Sequence, residues 1–212
     1  MQLQSNVVVI ATRNRGKVKE FADMFGQHGI KVRSLADYSE LPPIVEDGAT
    51  FADNAKIKAR IIAAHLHIPV LADDSGLCVE ALGGAPGVYS ARYAGEHASD
   101  ADNNAKLLRE LTAIGGSDKQ PHGGEGPRLL SPAAFVCALA LVDPVANEVM
   151  VTEGSCDGFI IDHLRGEHGF GYDPLFYLPD FGKTMAELPV EVKNTISHRA
   201  KALQQFFSLL TH

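Results

Sequence analysis

The sequence predicts an α/β protein, and three observations carry that prediction. Val7–Ala11 is a β-branched apolar run of buried-strand type; Lys17–His28 follows with Val18, Phe21, Ala22 and Phe25 at helical spacing; and the strand-then-helix order returns across residues 31–82. Lys31–Leu35 reads as the second strand. Thr50–His67 reads as a long helix with Phe51, Ala55, Ala59, Ile62 and Ala63 on one face, opened by a weak capping box of Thr50 with Asp53. Val70–Ala72 is the third strand, Leu77–Leu82 a further short segment, and Gly83–Gly87 a turn-rich stretch. Such alternation favours parallel neighbours in the sheet.

The second half carries a different pattern. Asp100–Leu111 has the spacing of a short amphipathic helix, and Gly115–Arg128, with five glycines and two prolines, reads as a surface loop. Ala133–Val142 and Glu148–Glu153 flank Asp143–Asn147, which predicts an antiparallel hairpin of two long strands. Ser197 precedes a last helix with Ala200, Leu203, Phe206, Phe207 and Leu210 on its inner stripe.

A chain of 212 residues, 45% apolar and 21% charged, can bury a full core as one globular unit without disulfides or structural metal. The net charge of -7 argues against non-specific binding to nucleic acid or to an anionic membrane surface, so an anionic ligand has to be met by a local basic cluster or by a metal. Cys78, Cys137 and Cys156 are odd in number and set in apolar runs, as expected of reduced core thiols in a cytoplasmic protein. The polar start Gln2–Asn6 lacks the pattern of a secretory signal, and the longest apolar run, Ala133–Val142, is half of the about 20 residues that span a bilayer.

Candidate chemistry concentrates in five places. Asp73 and Asp74, with Ser75 and Gly76, follow the apolar run Ile68–Ala72 at a predicted strand end. Adjacent carboxylates on a strand point to opposite faces, so one can hold a divalent cation while the other braces the loop; the same residues also make an ordinary strand exit. Thr12-Arg13-Asn14-Arg15-Gly16-Lys17 joins the first strand to the first helix, where free N–H groups, the helix dipole and three basic side chains suit phosphate; one glycine and Val18 rule out a Walker A loop. A solvated basic turn would look the same. Glu46 and Asp47 lead into the second helix and could add a metal carboxylate, with Lys56 and Lys58 available to phosphate. Gly169-Phe170-Gly171-Tyr172-Asp173-Pro174 permits close backbone approach and a ring for stacking on a base, or is simply a good turn. Finally, Lys193, Ser197, His198 and Arg199 cluster where the last helix begins, against the usual preference for acidic residues there.

Taken together, Ala11–Glu20, Thr50–Ala55, Leu71–Leu77, Gly83–Arg92, Gly169–Pro174 and Lys193–Arg199 make the chain resemble the inosine/xanthosine triphosphate pyrophosphatase family over nearly its whole length. The resemblance implies one nucleotide pyrophosphatase domain across residues 1–212, with an elongated, two-lobed α/β fold, a central curved mixed sheet and a nucleotide cleft between the lobes. It implies hydrolysis of non-standard purine nucleoside triphosphates (ITP, dITP, XTP) to the monophosphate and pyrophosphate, with Mg²⁺, in a cytoplasmic homodimer that binds neither nucleic acid nor membrane. By the same resemblance Thr12, Arg13, Asn14, Arg15, Gly16 and Lys17 cradle phosphates, Asp74 is general base and metal ligand beside Ser75, and Glu46 is the second metal carboxylate. Lys58 joins the substrate-binding set; Phe170, Gly171, Tyr172, Asp173 and Lys193 line the nucleoside site, and His198 with Arg199 read the base edge. Arg13 stands where many relatives have a small residue. A nucleotide pyrophosphatase with another base preference, or a non-catalytic nucleotide sensor, would share much of this pattern.

Overall fold

The computed structural model describes residues 6–115 and 126–210; most of the expected surface loop, 116–125, lies outside them. Seven strands form one mixed sheet: β1 (Val7–Ile10), β2 (Lys31–Ser34), β3 (Val70–Val79), β4 (Leu129–Asp143), β5 (Glu148–Ile161), β6 (Phe176–Leu178) and β7 (Lys183–Thr184), in the order β2-β1-β3-β4-β5-β6-β7. β1 is parallel to β2 and to β3, whereas β5, β6 and β7 pair antiparallel. Asp143 Oδ1 accepts from Val145 N and Ala146 N at 2.9 and 3.0 Å, which closes the predicted turn between the neighbouring strands β4 and β5.

Among the described residues five α-helices accompany the sheet: α1 (Arg15–Gly26), α2 (Phe51–Leu66), α3 (Asp100–Ala113), α4 (Val190–Ile196) and α5 (His198–Leu209). Thr50 caps α2 by accepting from Asp53 N at 3.1 Å, and His67, left-handed at φ 56°, closes it just before Pro69. Ser99 and Asp102 form a reciprocal capping box on α3. Two short strands, β6 and β7, and helix α4 were not anticipated, being too brief to establish a period of their own.

The chain divides into two compact units, with three of the four boundaries inside β3, β4 and β5 and the fourth at Ser197, between the last two helices. The first holds residues 6–75, 137–154 and 198–210. Here strand alternation sorts the core onto two faces. Val8, Ile10, Leu71, Cys137, Leu139 and Leu141 pack with Phe21 and Phe25 of α1 and Leu203 and Phe206 of α5. Val9, Ala11, Val70, Ala72, Ala138 and Ala140 pack with Ala55, Ala59, Ile62 and Ala63 of α2. In the second unit, residues 76–115, 126–136 and 155–197, Leu77, Val79, Leu107, Leu111, Phe135, Phe176 and Leu188 form a separate core.

One expectation needs correcting: β3 does not end at Ala72 but runs unbroken to Val79, so Asp73 and Asp74 lie in mid-strand. Their turn preference is overridden because each carboxylate finds cationic or amide partners on its own face, described below.

α5 is seated directly on β5 at Gly154, where an added Cβ would collide with the backbone at Ala202 N and His198 O. Gly154→Ala is expected to cost about 1–3 kcal/mol in urea unfolding by displacing α5, a typical overpacking penalty; unchanged stability would show that the helix shifts freely.

Candidate active site

Strand parity splits the two aspartates. Asp73 shares a face with Leu71 and meets α1 and α5, while Asp74 shares a face with Ala72 and meets α2. Both are buried, at 1% and 7% exposure. Ion-paired neighbours are therefore a requirement rather than an ornament.

On the first face, Lys17 Nζ lies 2.7 Å from Asp73 Oδ2, and Arg199 Nη2 lies 3.4 Å from the same oxygen and 3.1 Å from Ser75 Oγ. Arg199 also pairs closely with Glu20 and sits 5.7 Å from the centre of the Phe21 ring. Burial pushes the Asp73 carboxyl up, but the charges of Lys17, Arg199 and Lys58 outweigh it and hold the group well below the usual carboxylate range. His198, beside Arg199, is driven well below its ordinary value by burial and by the charges of Arg199 and Lys17, so its imidazole is neutral at pH 7.

On the second face, Lys58 Nζ bridges Glu46 Oε2 at 2.8 Å and Asp74 Oδ1 at 3.1 Å. Asn54, one helical turn before Lys58, donates from Nδ2 to Asp74 Oδ2 at 3.1 Å. Its Oδ1 accepts from Gly48 N at 2.8 Å, which fixes the amide orientation and ties down the loop that carries Glu46. Gly48 has to be glycine in this packing, because a Cβ would lie 2.7 Å from Asn54 Oδ1. Burial raises the Asp74 carboxyl above its ordinary value, against the opposing charges of Lys58 and Lys17. Lys58, itself buried, is kept protonated: desolvation opposes this, and Asp74, Asp73 and Glu46 prevail.

The first loop departs from the expected open cradle. Asn14 caps α1, its Oδ1 accepting from Gly16 N and Lys17 N at 2.9 and 3.2 Å, and Asn14 N donates to Thr12 Oγ1 at 3.2 Å. Three of the N–H groups anticipated for phosphate are thus already taken. Arg13 and Arg15 are exposed, and α1 has no acidic residue in its first turn, so the loop keeps a positive surface.

A model of the Ham1 family matches residues 8–209. The chain belongs to the Ham1 family. It is 54% identical over 196 residues to a dITP/XTP pyrophosphatase of Geobacillus kaustophilus (strain HTA426), covering 92% of this chain and 90% of that protein. A dITP/XTP pyrophosphatase of Listeria monocytogenes serovar 1/2a (strain ATCC BAA-679 / EGD-e) is 50% identical over 198 residues, covering 93% and 91%. Among solved structures, a HAM1 protein from Coxiella burnetii superposes with a TM-score of 0.82 at 40% identity, covering 96% of this chain and 97% of that one.

In this Ham1 chain the second unit holds the remaining candidates. Lys193 Nζ is 2.8 Å from Asp173 Oδ2, a buried pair on which the Gly169 backbone is laid so closely that a Cβ would overlap Asp173 and approach Lys193 Nζ to 2.6 Å. Gly169 is also left-handed at φ 107°, a conformation that suits only glycine. Tyr172 is not the free stacking ring that the sequence suggested: it is 4% exposed in the core, its hydroxyl donating to Ser90 O at 2.8 Å. Phe170 is the half-buried ring of this loop. Lys56 turns to Asp53, at 2.8 Å, and away from the carboxylates that Lys58 serves.

Sequence reasoning missed Asn54 and Glu20 as members of the charged network. The available signal was helical spacing: Asn54 lies four residues from Lys58, and Glu20 three from Lys17.

Because the folded Asp73 is held below its unfolded value near 3.9, its contribution to stability is present above about pH 4 and lost as pH falls through the folded value. Asp73→Asn leaves Lys17 and Arg199 short of a charge partner and is expected to cost about 3–5 kcal/mol at pH 7. Urea unfolding at pH 7 and pH 3 checks this: the gap to the parent protein should narrow at the lower pH, and a pH-independent gap contradicts it.

Proposed function

We propose that this Ham1 protein hydrolyses non-standard purine nucleoside triphosphates, ITP, dITP and XTP, to the monophosphate and pyrophosphate; the two relatives above are named dITP/XTP pyrophosphatases. The observation that carries the reading is the arrangement of Glu46, Asn54, Lys58 and Asp74: two carboxylates brought together by a bridging ammonium and oriented by an amide.

Mg²⁺ suits this donor set. The two faces together carry four carboxylates, Glu20, Glu46, Asp73 and Asp74, against three cations, Lys17, Lys58 and Arg199, with His198 neutral. That balance leaves one negative charge for a cation to offset. Among the described residues no group of three or more His, Cys, Asp or Glu side chains is placed to hold a metal, which agrees with an ion that takes one or two protein carboxylates and keeps several waters. Glu46 and Asp74 would hold it. When bound, the ion supplies charge neutralisation on the phosphates.

The chain's own residues then divide the work. Asp74, its carboxyl raised by burial, accepts the proton of the attacking water, and Asn54 keeps its other oxygen directed. The loop Thr12–Lys17 receives the phosphates through exposed Arg13 and Arg15, while Asn14 holds the Gly16 and Lys17 N–H groups and Thr12 that of Asn14; Arg13, Arg15 and Lys58 counter the charge that develops on the leaving pyrophosphate. Ser75 belongs to the Asp73 side, where it and Arg199 keep β3 in register. Phe170, Gly171, Tyr172, Asp173 and Lys193 carry the nucleoside side; the Asp173–Lys193 pair gives that loop its shape, and Phe170 offers the ring. His198, neutral, donates one ring N–H to a 6-oxo group, which adenine's amino group cannot accept. Arg199, expected beside it as a base reader, is engaged by Glu20, Asp73 and Ser75, and we assign it to positioning instead.

A homodimer and a cytoplasmic setting remain part of this reading. Cys78, Cys137 and Cys156 form no disulfide, and burial pushes the Cys137 thiol up to about 12, in keeping with an inert core residue of a reducing compartment. No helix among the described residues is long and apolar enough to cross a membrane.

Product analysis with Mg²⁺ and separate ITP, XTP, dITP, ATP and GTP is expected to give monophosphate and pyrophosphate from the first three, with turnover abolished by EDTA and restored by Mg²⁺. Diphosphate with orthophosphate would move the attack to the terminal phosphate and overturn the mechanism. Asp74→Asn should lower kcat by about 10²–10⁴ while the far-UV spectrum is unchanged; full turnover would remove Asp74 from catalysis.

A further inference from the structure

The first turn of α3 takes hold of the loop that contains Gly171, and nothing in the phosphate chemistry requires it to. Asp100 Oδ2 accepts from Gly171 N at 2.7 Å, and Asn104 Nδ2 donates to Gly171 O at 2.8 Å. The N–H and C=O of a single residue are thus gripped by two side chains four apart on one helix face. Asn104 Nδ2 also donates to Asp100 O at 2.9 Å, so the two grips are coupled. Asn103 performs the same service for a second segment, accepting from Ala94 N at 2.8 Å and donating to Ala91 O at 3.2 Å. Tyr172, the residue after Gly171, joins that segment through its bond to Ser90 O. Gly171 itself is left-handed at φ 61°, in a stretch where glycines on both sides of Phe170 would otherwise leave the peptide planes free to turn.

Asn104 is not a residue chosen for stability alone. Its Oδ1 is buried with no hydrogen-bond partner, and a dry acceptor of this kind costs about 1–3 kcal/mol that an apolar side chain of similar shape would avoid. What the amide provides in return is the donor that orients the Gly171 carbonyl.

We propose that Asp100 and Asn104 are specificity-determining positioning residues: by fixing both polar groups of Gly171 they set the place of Phe170 and hence the discrimination between bases. This rests on the reading of Phe170–Asp173 as the nucleoside side of the site. Both residues belong to the second unit, whereas the carboxylates and the basic loop assigned to the phosphate chemistry belong to the first. Their loss is therefore expected in substrate selection and not in the chemical step.

The test is steady-state kinetics of the full-length protein on ITP, XTP and GTP for Asp100→Ala, Asp100→Asn and Asn104→Ala, with thermal unfolding alongside. Asp100→Ala and Asn104→Ala are expected to lower the ratio of kcat/KM for ITP to that for GTP about tenfold, through a raised KM for ITP with kcat within about twofold, since small misplacements of binding groups have effects of this size or larger. Asp100→Asn retains an oxygen toward Gly171 N and should restore the ratio to within about threefold of the parent. An unchanged ratio in folded Asp100→Ala and Asn104→Ala, or Asp100→Asn behaving as Asp100→Ala, overturns the proposal while leaving the nucleoside reading intact. A parent protein with no preference among these bases would instead overturn the nucleoside reading, and the proposal with it.

Discussion

The alternation of side chains along β3 is the constraint on which the rest of the site depends. Two consecutive carboxylates in a buried strand cannot share an environment, so Asp73 and Asp74 are delivered to opposite faces of the sheet and to different helices. Each then has to be matched where it lands. α1 and α5 bring Lys17 and Arg199 to Asp73, whereas α2 brings Lys58 and Asn54 to Asp74. The opposite directions of their displacement follow from that partition: two close cations hold Asp73 down, while burial dominates at Asp74. One carboxylate becomes a fixed charge and the other the more readily protonated of the two, although they are adjacent in sequence.

Buried charge of this density is costly to leave incomplete, and the second layer of contacts reflects it. Glu20 completes Arg199, Asn54 fixes the loop of Glu46 through Gly48, and Asn14 closes the end of α1 that presents Lys17. The same economy appears in the second unit. Lys193 neutralises Asp173 beneath the Gly169 backbone, and the opening turn of α3 takes both polar groups of Gly171. In both units, loops rich in glycine or charge acquire a single conformation from helices whose own ends are well capped.

Each unit of this Ham1 chain carries its own buried charge pairing: in the first, Lys17 and Arg199 match Asp73 and Lys58 matches Asp74, and in the second, Lys193 matches Asp173. Among the described residues neither set of pairs includes a cysteine; Cys137 and Cys156 are packed into the cores.

Much of this was determined by the sequence alone. The β-branched run at Val7–Ala11, the helical spacing of Phe21 and Phe25, and the stripe Ala55, Ala59, Ile62 and Ala63 specify strands and helices locally, because periodicity of 2 or 3.6 is a property of consecutive residues. The hairpin of β4 and β5 was equally legible, since Asp143 and Pro144 build its turn from neighbouring atoms. Tertiary structure alone decided that β3 continues through Asp-Asp-Ser-Gly, that Arg199 turns inward to Asp73, and that Tyr172 is core rather than a platform. In each case the deciding partner is remote: Lys17 lies 56 residues before Asp73, Arg199 126 after it, and Ser90 82 before Tyr172. Local preference allows Asp73-Asp74 an ordinary strand exit and names no partner for Arg199, and only burial against distant opposite charge makes a strand interior and a buried guanidinium the lower free-energy outcome.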